Sequence, residues 1–306
     1  MKFVSYRSQT TIHLGILVEN QILSLNRLYD LYKEQLPQDW SLPTDMKELI
    51  EQSEATLPYL ESLLNCYEDS DQPSISLSEV EVLAPISNPE KIICVGLNYL
   101  DHCRETNMDP PSSPVIFSKY ANTLIGNQAS IELPINSNQV DFEAELAVVI
   151  GKEAKCISEE EAEDYIFGYT IMNDVSARDL QFADGQWSRG KSADTFAPIG
   201  PAIVTKEEVG NPHQLEITLR LNDELMQHSN TENLIFKIPY IVSFLSQSMT
   251  LKPGDIIATG TPPGVGMGRD PQVWLKEGDQ LSITIERIGT LLNDVRTSNS
   301  TKTMHK

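Results

Sequence analysis

Cysteine is scarce in this 306-residue chain, and none of its four cysteines, Cys66, Cys94, Cys103 and Cys156, stands in a C-x-x-C spacing. That excludes a disulfide scaffold and a cysteine-rich zinc site, and it points to a reducing compartment. Basic residues are also in short supply: 23 Lys and Arg face 44 Asp and Glu, for a net charge of −21. So acidic a surface repels nucleic acid and anionic membranes, although an anionic small molecule can still be held in a local cationic pocket. No apolar run approaches the ~18 residues of a membrane span, and the amino-terminal stretch reads as a strand rather than the apolar segment of a signal peptide. The expectation is a cytoplasmic protein with neither nucleic acid nor membrane as partner.

What is present is the make-up of a soluble globular protein, 40% hydrophobic and 22% charged, long enough for about two domains. Residues 1–70 carry short strand patterns over 3–6, 12–18 and 21–25, then helical patterns over 25–33 and 53–67, the second placing Leu57, Leu60, Leu63 and Leu64 on one face. No chemistry-bearing constellation falls there, so this is an accessory α+β domain. The breaker-rich Asp69-Ser-Asp-Gln-Pro73 and a first core strand make up 71–85. From 86 to 295 short apolar runs alternate with Pro and Gly, the pattern of a β-rich α+β domain with few helices. Ser158-Glu-Glu-Glu161 reads as a capping box opening one of those helices, which accounts for the acidic run 159–164. The polar residues 296–306 read as a frayed tail.

The most informative stretch is Asp-Phe-Glu-Ala-Glu-Leu-Ala-Val-Val-Ile, 141–150. In a strand, side chains two apart share a face, so Glu143 and Glu145 point the same way beside a run that belongs in a protein interior. Burying unpaired carboxylates is costly unless a cation compensates them. A third acid, Asp174, follows the apolar run 166–172. Three convergent carboxylates without nearby Cys or His favour a hard cation, Mg²⁺ or Mn²⁺. The alternative is the solvated face of an amphipathic strand.

Four further segments stand out. His102 and Glu105 are three apart, neighbours on a helical turn, where the carboxylate would orient the imidazole and raise its basicity, or form a surface salt bridge. Cys103, between them, suits small-residue packing. Lys119 ends an apolar strand and Lys191 lies in Gly-Lys-Ser-Ala-Asp-Thr, so both could bring positive charge to an acidic cleft or sit as surface lysines. Gly260-Thr-Pro-Pro-Gly-Val-Gly266 could offer backbone N–H groups or the Thr261 hydroxyl to an anionic oxygen, or be a plain turn.

Together and in this order, N-Y-x-x-H-x-x-E, F-x-K, D-x-E-x-E-L-A, N-D-V-S-A-R-D-x-Q, G-K-S-x-D-T and G-T-P-x-G-V-G resemble the fumarylacetoacetate hydrolase family from about Lys91 to Arg287. The resemblance is better to the smaller members acting on acylpyruvates, oxaloacetate or 2-oxo-heptenedioate compounds than to fumarylacetoacetase itself. It implies a mixed β-roll binding one Mg²⁺ or Mn²⁺ through Glu143, Glu145 and Asp174. Lys191 would lie close to metal and substrate, with Gln181, Lys119 and Thr261 as substrate contacts, and His102 with Glu105 would be the catalytic pair on a lid. The implied chemistry is hydrolysis of a carbon–carbon bond in a 2,4-dioxo acid through a metal-stabilised enolate. The same enolate serves oxaloacetate decarboxylation, or isomerisation or hydration of unsaturated 2-oxo acids; a non-catalytic binding protein is the remaining alternative. The resemblance also implies a homodimer.

Overall fold

The computed structural model describes residues 1–67, 74–105, 109–183 and 185–298. Two large sheets, the two-stranded pair Val140–Asp141 with Ser176–Ala177, and a helical layer make up the fold. The larger sheet runs, from one edge, through Ile75–Ser76, Gln21–Ser24, Thr11–Val18, Lys2–Ser8, Ala197–Thr205, Ile166–Asn173, Ala144–Ile150, Ile256–Ala258, Ile92–Gly96 and Val115–Lys119. Neighbours in that series are antiparallel except Ile256–Ala258 with Ile92–Gly96, which are parallel. A second, five-stranded sheet orders Glu224–Asn230, Glu216–Leu221, Gln280–Ile285, Gly289–Thr297 and Ser130–Leu133.

The two faces of Ala144–Ile150 explain the layering. Leu146, Val148 and Ile150 join Tyr169 and Ile171 against Ile217, Leu219, Ile283 and Leu291 of the five-stranded sheet. Ala147 and Val149, one residue out of phase, join Met172, Ile199 and Ala258 against Leu25, Leu49, Leu60 and Leu63 of the amino-terminal helices. A strand buried on both faces must be apolar throughout, which is why 146–150 does not alternate.

The expected amino-terminal strands are present, and the helices fall at Leu25–Tyr32 and Ser53–Cys66. Between them lies a helix absent from the sequence reading, Met46–Glu51, capped by Asp45 accepting from the Glu48 amide at 2.9 Å. Lys2–Ser8 pairs with Ala197–Thr205, so residues 1–67 extend the large sheet and share its core. The turn-like 69–73 lies outside the described residues.

Two expectations need correction. Ser158 and Glu161 do exchange the reciprocal capping bonds, at 2.8 and 3.3 Å, but only the 3₁₀ turn Ala162–Tyr165 follows. Arg296 and Thr297 belong to the Gly289–Thr297 strand, paired with Glu132 and Leu133, so the tail begins later than 296. No helix among the described residues is long and apolar enough to cross a membrane.

Candidate active site

Register brings the three acids together. Ala144 pairs with Asn173 and Glu145 with Met172, so one step further along the same ladder Glu143 stands opposite Asp174. The Asp174 amide donates to the Glu143 carbonyl at 2.9 Å, and the Glu143 amide donates to the Asn173 side chain at 3.0 Å. With Glu145 two residues on and on the same face, the three carboxylates offer oxygens within 4.8 Å of one another, all buried.

Their surroundings differ. Lys191 donates to Glu143 at 2.6 Å and to Asp174 at 2.8 Å, and Arg178 pairs with Glu143 at 2.6 Å. Burial alone would raise the Glu143 pKa, yet the Lys191 and Arg178 charges hold it well below the usual carboxylate range. Burial likewise works against the Lys191 ammonium, and Asp174 with Glu143 keeps it charged. Glu145 has no ion-pair partner among the described residues and accepts only the Gly260 amide, at 2.8 Å. Burial, followed by repulsion from Asp174 and Glu143, pushes its pKa well above the ordinary value. An all-oxygen donor set with one uncompensated acid suits a hard divalent cation, which would lie among Glu143, Glu145 and Asp174.

These carboxylates form one wall of a cavity of about 40 Å³ that His102, Lys191, Gln181 and Thr261 also line, with Phe117 and Trp187 on the apolar side. It is small beside the roughly 300–1,000 Å³ of most ligand pockets, so its polar groups stand close together. A larger hollow of about 530 Å³ lies against the Ser53–Cys66 helix, and none of the candidate catalytic, metal or substrate residues borders it. His102 and Glu105 lie on the short helix Leu100–Glu105, with Nδ1 3.0 Å from the Glu105 carboxylate. A carboxylate there accepts from Nδ1–H and leaves Nε2 as the basic nitrogen. Cys103 is wholly buried, in keeping with packing.

Lys119 is placed differently from the substrate contact the resemblance implies. Its ammonium is buried behind Asp174, bonded to that carboxylate at 2.6 Å and to the Val175 carbonyl at 3.0 Å, and it does not line the cavity. Burial, and then the Lys191 charge, push its pKa down. The glycine loop is also differently engaged: its amides at Gly260, Gly264 and Gly266 donate to Glu145, Glu105 and Asp141, each at 2.7 or 2.8 Å. These donors hold protein carboxylates in place, while the Thr261 hydroxyl reaches the cavity and accepts from Gln227 at 2.8 Å. Gln181 lines the cavity too, accepting from Arg178 at 3.0 Å.

Arg178 and Asp141 were not singled out from the sequence. Arg178 binds Asp141 through Nε at 2.9 Å while bridging to Glu143, and Asp141 in turn holds the Gly266 and Met267 amides. A buried acid and a buried base flanking the carboxylates in D-x-E-x-E and S-A-R-D were the available signal. Asn98, which opens the N-Y-x-x-H-x-x-E motif, accepts from the Phe236 amide at 2.7 Å and donates to the Thr259 carbonyl at 2.7 Å, tying the segment before His102 to the glycine loop.

Comparison with known proteins agrees with this geometry. The profile of the fumarylacetoacetate (FAA) hydrolase C-terminal family matches residues 91–296. The mitochondrial oxaloacetate tautomerase of Xenopus laevis is 48% identical over 259 residues, 84% of this chain and 80% of that one. The human mitochondrial oxaloacetate tautomerase FAHD2A is 42% identical over 301 residues, 96% of this chain and 91% of its own. The crystal structure of maleylpyruvate hydrolase from Sphingobium sp. SYK-6, in complex with manganese(II) and pyruvate, superimposes with a TM-score of 0.79 at 31% identity over 97% of this chain and all of that one. The chain belongs to the fumarylacetoacetate hydrolase family.

Proposed function

We propose that this member of the fumarylacetoacetate hydrolase family interconverts the enol and keto forms of a short 2-oxo dicarboxylic acid, oxaloacetate or one like it, with Mg²⁺ or Mn²⁺ as cofactor. The observation that carries this reading is a carboxylate-oriented imidazole, His102, on the wall of the cavity that the three acids line. The relatives named as oxaloacetate tautomerases supply the substrate, and the small cavity favours a short one.

When bound, the divalent cation supplies positive charge beside the carboxylate and keto oxygens of a 2-oxo acid. Ketonisation removes the proton of the enol hydroxyl and adds one at the neighbouring carbon; the reverse direction undoes both. His102 takes and returns these protons, and Glu105 fixes the tautomer that leaves Nε2 basic. Lys191 and Arg178 hold Glu143 ionised, and Lys119 anchors the Asp174 carboxylate from behind.

The test follows the ultraviolet absorbance of enol-oxaloacetate in Mg²⁺ buffer. The protein accelerates its loss over buffer, and His102→Ala lowers kcat by about 10²–10⁴-fold. No acceleration by the wild-type protein refutes the reading. Hydrolysis of an acylpyruvate at the same site is a second reading, favoured by the likeness to the maleylpyruvate hydrolase. It replaces the first if acylpyruvate is cleaved while ketonisation is not accelerated; pyruvate formed from oxaloacetate would indicate decarboxylation. Free cysteines at all four positions suit either reducing compartment, cytoplasm or mitochondrial matrix.

A further inference from the structure

We infer that Gly268 is a positioning residue for the proton-carrying pair: its bare α-carbon is the socket that seats the Glu105 carboxylate against His102. A Cβ built on Gly268 would lie 2.6 Å from Cδ, 2.7 Å from Cγ and 2.8 Å from Oε1 of Glu105. Those distances are far inside van der Waals contact, so one of the two groups must shift. Around Gly268 the loop has little freedom. Gly264 has φ +105, and a side chain there would strike the Met226 carbonyl. The Gly266 and Met267 amides are held by Asp141 at 2.7 and 3.1 Å, and the Val273 amide holds the Gly266 carbonyl at 3.0 Å. Gly268 itself closes a 3₁₀ turn, Gly266–Gly268, through its amide to the Val265 carbonyl at 3.1 Å. Its φ is not in the left-handed region, so alanine is conformationally acceptable there.

The group that gives way is therefore the end of the Glu105 side chain. That carboxylate has two partners to lose, Nδ1 of His102 at 3.0 Å and the Gly264 amide at 2.8 Å. Displacing it frees the imidazole to take the other tautomer or another orientation, so a methyl group on a glycine that touches no substrate acts on the proton carrier. This rests on the reading of His102 as that carrier.

The experiment compares Gly268→Ala, Glu105→Ala and the double variant in the Mg²⁺-loaded protein. Gly268→Ala should fold, bind Mg²⁺ as the wild type does, and lose about 10- to 100-fold in kcat with little change in KM, a loss typical for the partner of a functional histidine. In the Glu105→Ala background it should add nothing, because the side-chain end it displaces is already gone. Multiplicative losses in the double variant overturn the inference. A readout independent of turnover is the pair of His102 ring-nitrogen resonances in the protein loaded with diamagnetic Mg²⁺, assigned with His102→Ala. These should move in Gly268→Ala in the same direction as in Glu105→Ala. Unchanged resonances overturn the inference even if no substrate is turned over, whereas moved resonances in a protein inactive on oxaloacetate uphold it and reject the functional reading instead. A Gly268→Ala chain that fails to fold also overturns it, since backbone rather than the Glu105 side chain would then be the displaced group.

Discussion

Replacing Glu145 by glutamine should make the metal-free protein more stable while ending its response to metal. Glu145 is the one acid of the triad without an ion-pair partner among the described residues, and it lies within 4.8 Å of two other carboxylates. At an effective dielectric near 20, each such neighbour costs about 3.5 kcal/mol at that separation. Lys191 and the Gly260 amide offset part of this, leaving an expected gain on the order of 1–3 kcal/mol for the neutral isostere, which still accepts from Gly260. At roughly 2–4 °C per kcal/mol for a protein approaching this size, Tm in EDTA at pH 8 should rise by several degrees. The sign with pH follows from the raised folded-state pKa. Between the ordinary value of 4.5 and that raised value the native wild type holds a proton that the unfolded chain has lost, so its stability falls as pH rises through this window. The advantage of Glu145→Gln is thus absent below pH 4.5, grows with pH and levels off above the folded pKa. Saturating Mn²⁺ at 100 times Kd adds about 2.7 kcal/mol to the wild type and almost nothing to the variant. The assay is a set of calorimetric melts at pH 4, 6 and 8 with and without Mn²⁺. A variant no more stable than wild type at pH 8 in EDTA, or one stabilised by Mn²⁺ to the wild-type extent, refutes the reasoning.

Three further outcomes are expected. Arg178→Met strips the buried Asp141 and Glu143 of a shared cation and should cost about 3–5 kcal/mol in denaturant unfolding; a loss under 1 kcal/mol would show that the guanidinium carries no such role. Because Lys2–Ser8 pairs with Ala197–Thr205 and both regions share one core, the metal-free chain should melt in a single calorimetric transition, and two resolved transitions would contradict that. We also expect a homodimer, and light scattering that reports the monomer mass at micromolar concentration would reject it.

Much of the site was legible because strand geometry is periodic. Glu143 and Glu145 share a face for the same reason that 146–150 is unbroken apolar sequence, and the third acid needed only a neighbouring strand ending at Asn173. The orientation of His102 by Glu105 was legible because one helical turn sets it. Longer-range placement was not. Nothing in the alternation of 3–6 tells that strand to pair with Ala197–Thr205, almost two hundred residues away, so the first seventy residues read as a separate domain. The family resemblance carried Lys119 over as a substrate contact, and its strand-end position alone left open a cleft or a surface; only the packing puts its ammonium behind Asp174. The helix Ile238–Ser248 was missed although its buried Ile238, Ile241, Val242 and Leu245 carry the i, i+3, i+4, i+7 spacing of one helical face, a signal present in the sequence. The glycine loop was seen as a donor of N–H groups, correctly in kind, but their acceptors are protein carboxylates that lie far away in sequence.

The charge count in this interior also dictates an order of binding. Lys119, Arg178 and Lys191 stand against Asp141, Glu143, Glu145 and Asp174, three cations to four carboxylates, all buried. Above the raised Glu145 pKa the metal-free site carries one net negative charge, and a dicarboxylate entering beside Glu143 and Glu145 meets repulsion in a medium that screens poorly. A divalent cation reverses the sign. Two unit charges about 4 Å apart interact by roughly 4 kcal/mol at an effective dielectric near 20, equivalent to about a thousandfold in affinity. Oxalate, a two-oxygen chelator, should therefore bind the Mn²⁺-loaded protein at least about a thousandfold more tightly than the protein in EDTA, and Glu145→Gln should lose that dependence together with Mn²⁺ itself. Titration calorimetry in the two buffers decides the matter: equal oxalate affinity with and without Mn²⁺ would mean that the anion is held by Lys191 and Arg178 alone, and that the carboxylate triad is a structural ion-pair network rather than the seat of a cation.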